Sequence, residues 1–174
     1  MSKAGQQFNE KSLAAELSTR LSGFPVDGTR PVASAQTGPA KTVVWIDAGD
    51  EVLVHLDSVS VRMIGQTLLV SVDLDTDQTG RTPLIVSLAL SSGSDAAGLV
   101  AVTDELPHGN GLLAARWGSH FQAAVWASVL GIAQDFSAQG GGVPRSLTIS
   151  NGVLNLEAGA PLQAPSPPTN TGVR

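Results

Sequence analysis

The chain has no cysteine, few aromatics at 4%, and charged residues at only 14% of its 174 positions. Without cysteine there is no disulfide framework, no thiolate zinc site and no thiol nucleophile, an absence compatible with any compartment. The ten Lys and Arg residues are scattered singly in a chain of net charge −5. A general nucleic-acid binder needs clustered cations to neutralise phosphates, so nucleic acid is not an expected partner. The opening residues 1–10 lack the apolar core of a signal peptide, so as written the sequence has no export signal. No window is apolar throughout a membrane-spanning length. No Gly-x-Ser-x-Gly elbow, P-loop or dinucleotide fingerprint occurs, and Gly140–Gly142 precedes no helix that could cradle a phosphate. Nothing nominates a pair of catalytic carboxylates. The expectation is a protein that is not an enzyme, with no cofactor and no small-molecule substrate. A ligand-binding β-sandwich would have no residue to anchor its ligand.

Glycine (19) and proline (10) are plentiful, which suits a turn-rich β scaffold. The length suits one ordinary core. Residues 1–23 read as an arm: Asn9 caps a short helix, Leu13, Leu17 and Leu21 form its docking stripe, and Gly23 before Pro25 ends it. Three leucines bury too little for such a helix to stand alone, so it must dock on the core or on another subunit. Residues 24–41 are rich in Pro and Gly without an apolar period and read as a linker. Residues 42–157 read as the β-rich core, and the proline-rich segment 158–174 as an extended tail.

Within the core, Val43–Ile46 and Val52–Leu56 flank a turn at Asp47–Asp50, and Thr67–Asp75 and Leu84–Leu90 flank another at Thr76–Gly80. Leu99–Val102 is a short extended piece. Ser146–Ile149 and Val153–Leu156 flank Ser-Asn-Gly, a third hairpin signal. The predicted class is α+β: a mostly antiparallel β-sandwich or barrel-like core, one long amphipathic helix over 112–138, and the short N-terminal helix.

That long helix is the most unusual segment. Between Arg116 and Asp135 it contains no Asp, Glu, Lys or Arg. Leu113, Trp117, Phe121, Val125, Val129, Ile132 and Phe136 recur at three- and four-residue steps as one stripe. Trp126 lies nine residues after Trp117, about 180° around the helix, so one can face the core and the other point outward. Two readings stand side by side: a helix central to its own core, or one making oligomer or membrane contacts through these eight residues. It is too polar to cross lipid alone, and Gly-rich breakers at both ends would let it stand away from the β core.

Asp73, Asp75 and Asp77 begin like a calcium loop, but Gln78 occupies the required glycine position and Leu84 the closing glutamate position. Asp73 and Asp75 instead read as the solvent face of a strand. His55, His108 and His120 have no ligand spacing, and no metal site is expected.

Several stretches, taken in order, carry a family likeness: the arm helix, Ile46–Ser58, Met63-Ile-Gly65, Leu68–Val72 with Leu84–Leu90, Ala96–Leu99, Arg116-Trp-Gly-x-x-Phe121 and Thr148–Val153. The sequence resembles the C-terminal domain of the DotG/TraO family, subunits of the outer-membrane core complexes of type IVB secretion and conjugation systems. The resemblance implies a non-enzymatic structural subunit in a homo-oligomeric ring, in contact with other subunits and with the outer membrane. It also implies that the segment Arg116–Phe136 contributes to a helical pore. Three features depart from the family pattern: no N-terminal membrane span, a short segment between Ser58 and Met63, and no second apolar helix after Leu156. The alternative class is a bacteriophage virion protein of capsid, connector or tail, whose subunits share this low-charge, cysteine-free composition and use arms and tails to wrap neighbours.

Overall fold

Alternation of apolar and polar side chains builds most of the computed structural model, which describes residues 5–23, 30–31, 41–92, 99–102, 107–139 and 142–159. In chain order the elements are β1 (Gln6–Asn9), α1 (Glu10–Leu21), β2 (Arg30–Pro31), β3 (Thr42–Asp47), β4 (Asp50–Ile64), β5 (Thr67–Thr76), β6 (Gly80–Ser92), β7 (Leu99–Val102), β8 (His108–Gly109), α2 (Gly111–Gln139), β9 (Val143–Ser150) and β10 (Val153–Gly159). The larger sheet runs β2-β3-β4-β5-β6-β7, with β8 also paired to β6, and the smaller runs β1-β10-β9. All pairings are antiparallel. The fold is α+β with a sandwich-like β core, as the alternating patterns imply.

Two hairpins turn on a pair of residues that both have positive φ, as type I′ turns require. Asn151 and Gly152 have φ of 52° and 69°, and Ala48 and Gly49 have 50° and 87°. Ala48 adopts this left-handed conformation without the local side-chain help that Asn has.

One face of the large sheet is sealed by Val43 and Trp45, Val52, Val54 and Leu56, Leu68 to Leu74 at alternate positions, and Leu84 to Leu90 likewise. β4 is longer than its sequence pattern implies, because the buried set shifts from Val52, Val54 and Leu56 to Val61 and Met63. The shift is a bulge: pairing jumps from His55↔Asp73 to Ser60↔Ser71, five residues on β4 against two on β5. Ser58 holds it together. Its hydroxyl donates to the His55 carbonyl at 2.6 Å and accepts the Asp73 N–H at 2.7 Å, supplying the partner that the broken ladder lacks.

α1 packs along β4. The β3 ladder stops at Thr42↔His55, and among the described residues no strand pairs with the far half of β4 on that side. The helix supplies two polar contacts to β4. Ser18 Oγ donates to the Leu56 carbonyl at 2.8 Å, and Glu10 Oε1 accepts the Met63 N–H at 2.8 Å. Asn9 caps the helix by accepting the Ser12 N–H at 2.8 Å. Leu13, Leu17 and Leu21 are fully buried in the chain's own core. The preceding residues form β1 against β10, a strand that the Gln-Gln-Phe sequence does not announce.

α2 packs against β6, β9, β10 and α1 rather than standing away from the β core. Trp45 and Phe121 meet with ring centres 6.4 Å apart. The small sheet is fastened to the large one by Gln66 at the β4–β5 turn. Its side-chain amide donates to the Ile149 carbonyl and accepts the Ile149 N–H at 3.1 Å, acting as a substitute peptide group on the edge of β9.

Arg30–Pro31, inside the expected linker, pairs with Val44 and Val43 of β3. β10 continues two residues past the expected core boundary at 157. Residues 24–29 and 32–40 of the linker, and the tail from 160, lie outside the described residues. Among the described residues no helix is long and apolar enough to cross a membrane.

Two substitutions test this architecture by urea unfolding. Leu17→Ala costs about 2–5 kcal/mol in the monomer, because the side chain leaves a filled core position; an unchanged midpoint would place α1 outside the cooperative unit. Gln66→Ala costs about 1–3 kcal/mol, because the Ile149 N–H and carbonyl both lose their partner.

Candidate functional site

The first turns of α2 are set by three backbone devices. Asn110 Oδ1 accepts the N–H groups of Leu112 at 3.0 Å and Leu113 at 3.3 Å, which starts the helix. Gly109 lies so close to β6 that a Cβ there would stand 2.7 Å from the Pro83 carbonyl oxygen. Pro107 packs its ring on Gly118, where an added Cβ would come within 2.8 Å. With the helix start fixed this way, Arg116 projects onto the β3–β4 turn.

Arg116 is a three-way clasp. Its Nη1 donates to Asp47 Oδ2 at 2.7 Å, its Nε to Asp50 Oδ2 at 2.7 Å, and its Nη2 to the Asp47 carbonyl. The guanidinium also stands 4.6 Å from the Trp117 ring centre, within cation–π range. His120 Nε2 reaches Asp47 Oδ2 at 3.2 Å. The Arg116 hydrogen bond holds the Asp47 carboxyl below the usual carboxylate range.

Beside this clasp opens a cleft of about 500 Å³. Gly49, Asp50 and Glu51 form one wall, the β5–β6 turn Thr76–Thr79 a second, and Leu112, Leu113, Arg116 and Trp117 the third. Leu112 is 66% exposed there. With Asp47 counted, three aspartates among the described residues, Asp47, Asp50 and Asp77, stand around the guanidinium of Arg116. Thr76 and Thr79 bond their hydroxyls to each other at 2.8 Å, closing the turn. The lining therefore offers net negative charge next to an apolar ledge. Among the described residues no group of three or more His, Asp or Glu is placed to hold a metal ion.

At the far end of α2, Arg20 bridges Glu16 at 2.9 Å and Asp135 at 2.6 Å, pinning α1 to α2. Gly131 makes space for it, since a Cβ there would stand 2.9 Å from Arg20 Nη1.

The eight helix residues singled out from sequence divide in two. Leu113, Trp117, Phe121, Val125, Val129 and Ile132 are buried within the chain itself. Trp126 and Phe136 are half-buried and pack on the edge of that core, so Trp126 does not project freely outward. Asp73 and Asp75 alternate with buried Val72 and Leu74. Asp73 pairs with Arg81 at 2.8 Å, and Asp75 stands 3.7 Å from His55 Nε2. His55 and His120 thus face different carboxylates, and His108 sits on β8 opposite Ile85.

Sequence reasoning passed over the Arg116 cleft. Asp47 and Asp50 read as turn residues and Arg116 as the boundary of an uncharged helix. The available signal was a lone cation in the first half of such a helix, which needs acidic partners from elsewhere.

Because the folded Asp47 value is depressed, the clasp stabilises the fold above the unfolded carboxylate value of about 3.9 and loses that contribution as pH falls through the lower folded value. Thermal unfolding of the wild type should therefore drop below about pH 4 more steeply than that of Arg116→Gln. Parallel acid limbs would show that the pairing is inert. Comparison with protein-family models, curated proteins and solved structures finds no match to this chain.

Proposed function

We propose that this chain is a non-enzymatic structural subunit of a large symmetric assembly in the bacterial cell envelope, of the kind formed by type IV secretion and conjugation core complexes. The observation that supports this reading is the outer face of α2. Between Arg116 and Asp135 its exposed positions are Ser119, Ala123, Ala127 and Gln134, with no charge among them. Water-facing helix surfaces are ordinarily charged, and this one extends for about 22 Å at 1.5 Å per residue. Small side chains leave a shallow surface on which a neighbouring subunit can seat closely.

The apolar side of the same helix is already used inside the chain. The subunit therefore contributes to an assembly as a preformed wall, with its contacts on the neutral outer face and the half-buried Trp126 beside it. This differs from the pore-helix role that the family resemblance implies, in which the apolar stripe itself would meet sister helices.

Sedimentation velocity on the purified chain tests the reading. The wild type should sediment as a discrete oligomer at micromolar concentration, and Ala123→Glu should shift it toward monomer without lowering the melting temperature. A wild type that stays monomeric throughout would overturn the proposal. Co-fractionation with outer-membrane material supports the envelope; co-sedimentation with phage particles would overturn that compartment in favour of a virion.

A further inference from the structure

We infer that successive copies of this chain meet head to tail, the β4–β5 tip of one copy entering the acidic cleft of the next. The inference rests on the assembly reading above and adds a second contact to the one on the outer face of α2. The β3–β4 and β5–β6 turns lie at one end of the large sheet, because Leu53 pairs with Asp75 and Thr76 with Gly80. The β4–β5 turn lies at the other end, where Ile64 pairs with Thr67. Ten residues of β5 separate the two ends by about 30 Å at 3.3 Å per residue.

The two ends are chemically opposite. The cleft end has the exposed Asp50 and Asp77 beside Arg116, with Leu112 as its apolar ledge. The tip end displays Arg62 on the exposed face of β4 and Ile64 at 61% exposure, one of three large apolar side chains left exposed among the described residues. Leu112, at the cleft, is another. A cation two residues from an apolar side chain, on the same strand face, matches a carboxylate-rimmed cleft with an apolar wall.

The tip is also rigid. Gly65 takes the positive φ of 59° that the turn needs, Gln66 is locked to Ile149 through both amide atoms, and the Gln66 carbonyl accepts the Leu90 N–H at 2.9 Å. A preorganised knob loses little conformational entropy on docking. Because knob and socket are different surfaces at opposite ends, the contact is heterologous, and repetition closes a ring or extends a filament rather than stopping at a dimer.

Charge exchange tests the pairing. Arg62→Glu and Asp77→Lys, each alone, should raise the concentration needed for assembly about tenfold, and Ile64→Ser should act in the same direction. Melting temperatures should stay near wild type, since all three side chains are exposed. Mixing the Arg62→Glu and Asp77→Lys proteins should restore assembly, since every tip in the alternating polymer then meets a cleft of opposite charge. If the wild type assembles and neither single variant weakens it, or if the mixture fails to recover, this contact is overturned while the assembly reading stands. If the wild type never assembles, both are overturned.

Discussion

The packing of α2 against both sheets is the contact on which the remaining structure depends. Trp117, Phe121, Val125, Val129 and Ile132 fill the space that the inward side chains of β6, β9 and β10 leave open. Each such buried side chain contributes about 1.5–3 kcal/mol relative to exposure. The smaller sheet buries Leu147, Ile149, Leu154 and Leu156, and without the helix those residues would face water. A three-stranded sheet of this size is marginal without a covering layer.

Around that core, a few polar side chains stand in for backbone or join distant elements. Ser58 replaces a ladder partner at the β4 bulge, Gln66 acts as a peptide group at the sheet junction, and Glu10 and Ser18 tie α1 to β4. Arg116 and Arg20 fasten the two ends of α2 to the β3–β4 turn and to α1. With charge so sparse, the few ion pairs are concentrated at junctions between elements. What they leave on the outside of α2 is neutral, and this is the physical basis for regarding that face as an assembly surface.

The arm expected from sequence is integral to the fold. Its leucines complete the core, and the strand before it adds an edge to the small sheet. The long helix is central to the same core. The eight residues that its sequence offered for oligomer or membrane contact are buried or half-buried on the chain's own core, so the assembly surface proposed above is a different face of the helix.

Period and turn chemistry made the strands of the three hairpins, both helices and the Asn9 cap legible, because those signals operate within a few residues. Asn151-Gly152 and the leucine stripe of α1 are of this kind. The tertiary structure alone decided which edges and ends meet. Gln7 finds Asn155 across 148 residues, Gln66 finds Ile149 across 83, and Arg116 finds Asp47 across 69. A glutamine acting as a peptide, or an arginine drawing two turn aspartates into a cleft, leaves no periodic trace in sequence. Such contacts depend on the distance between elements after the core has closed, and that distance is set by packing rather than by any local residue preference.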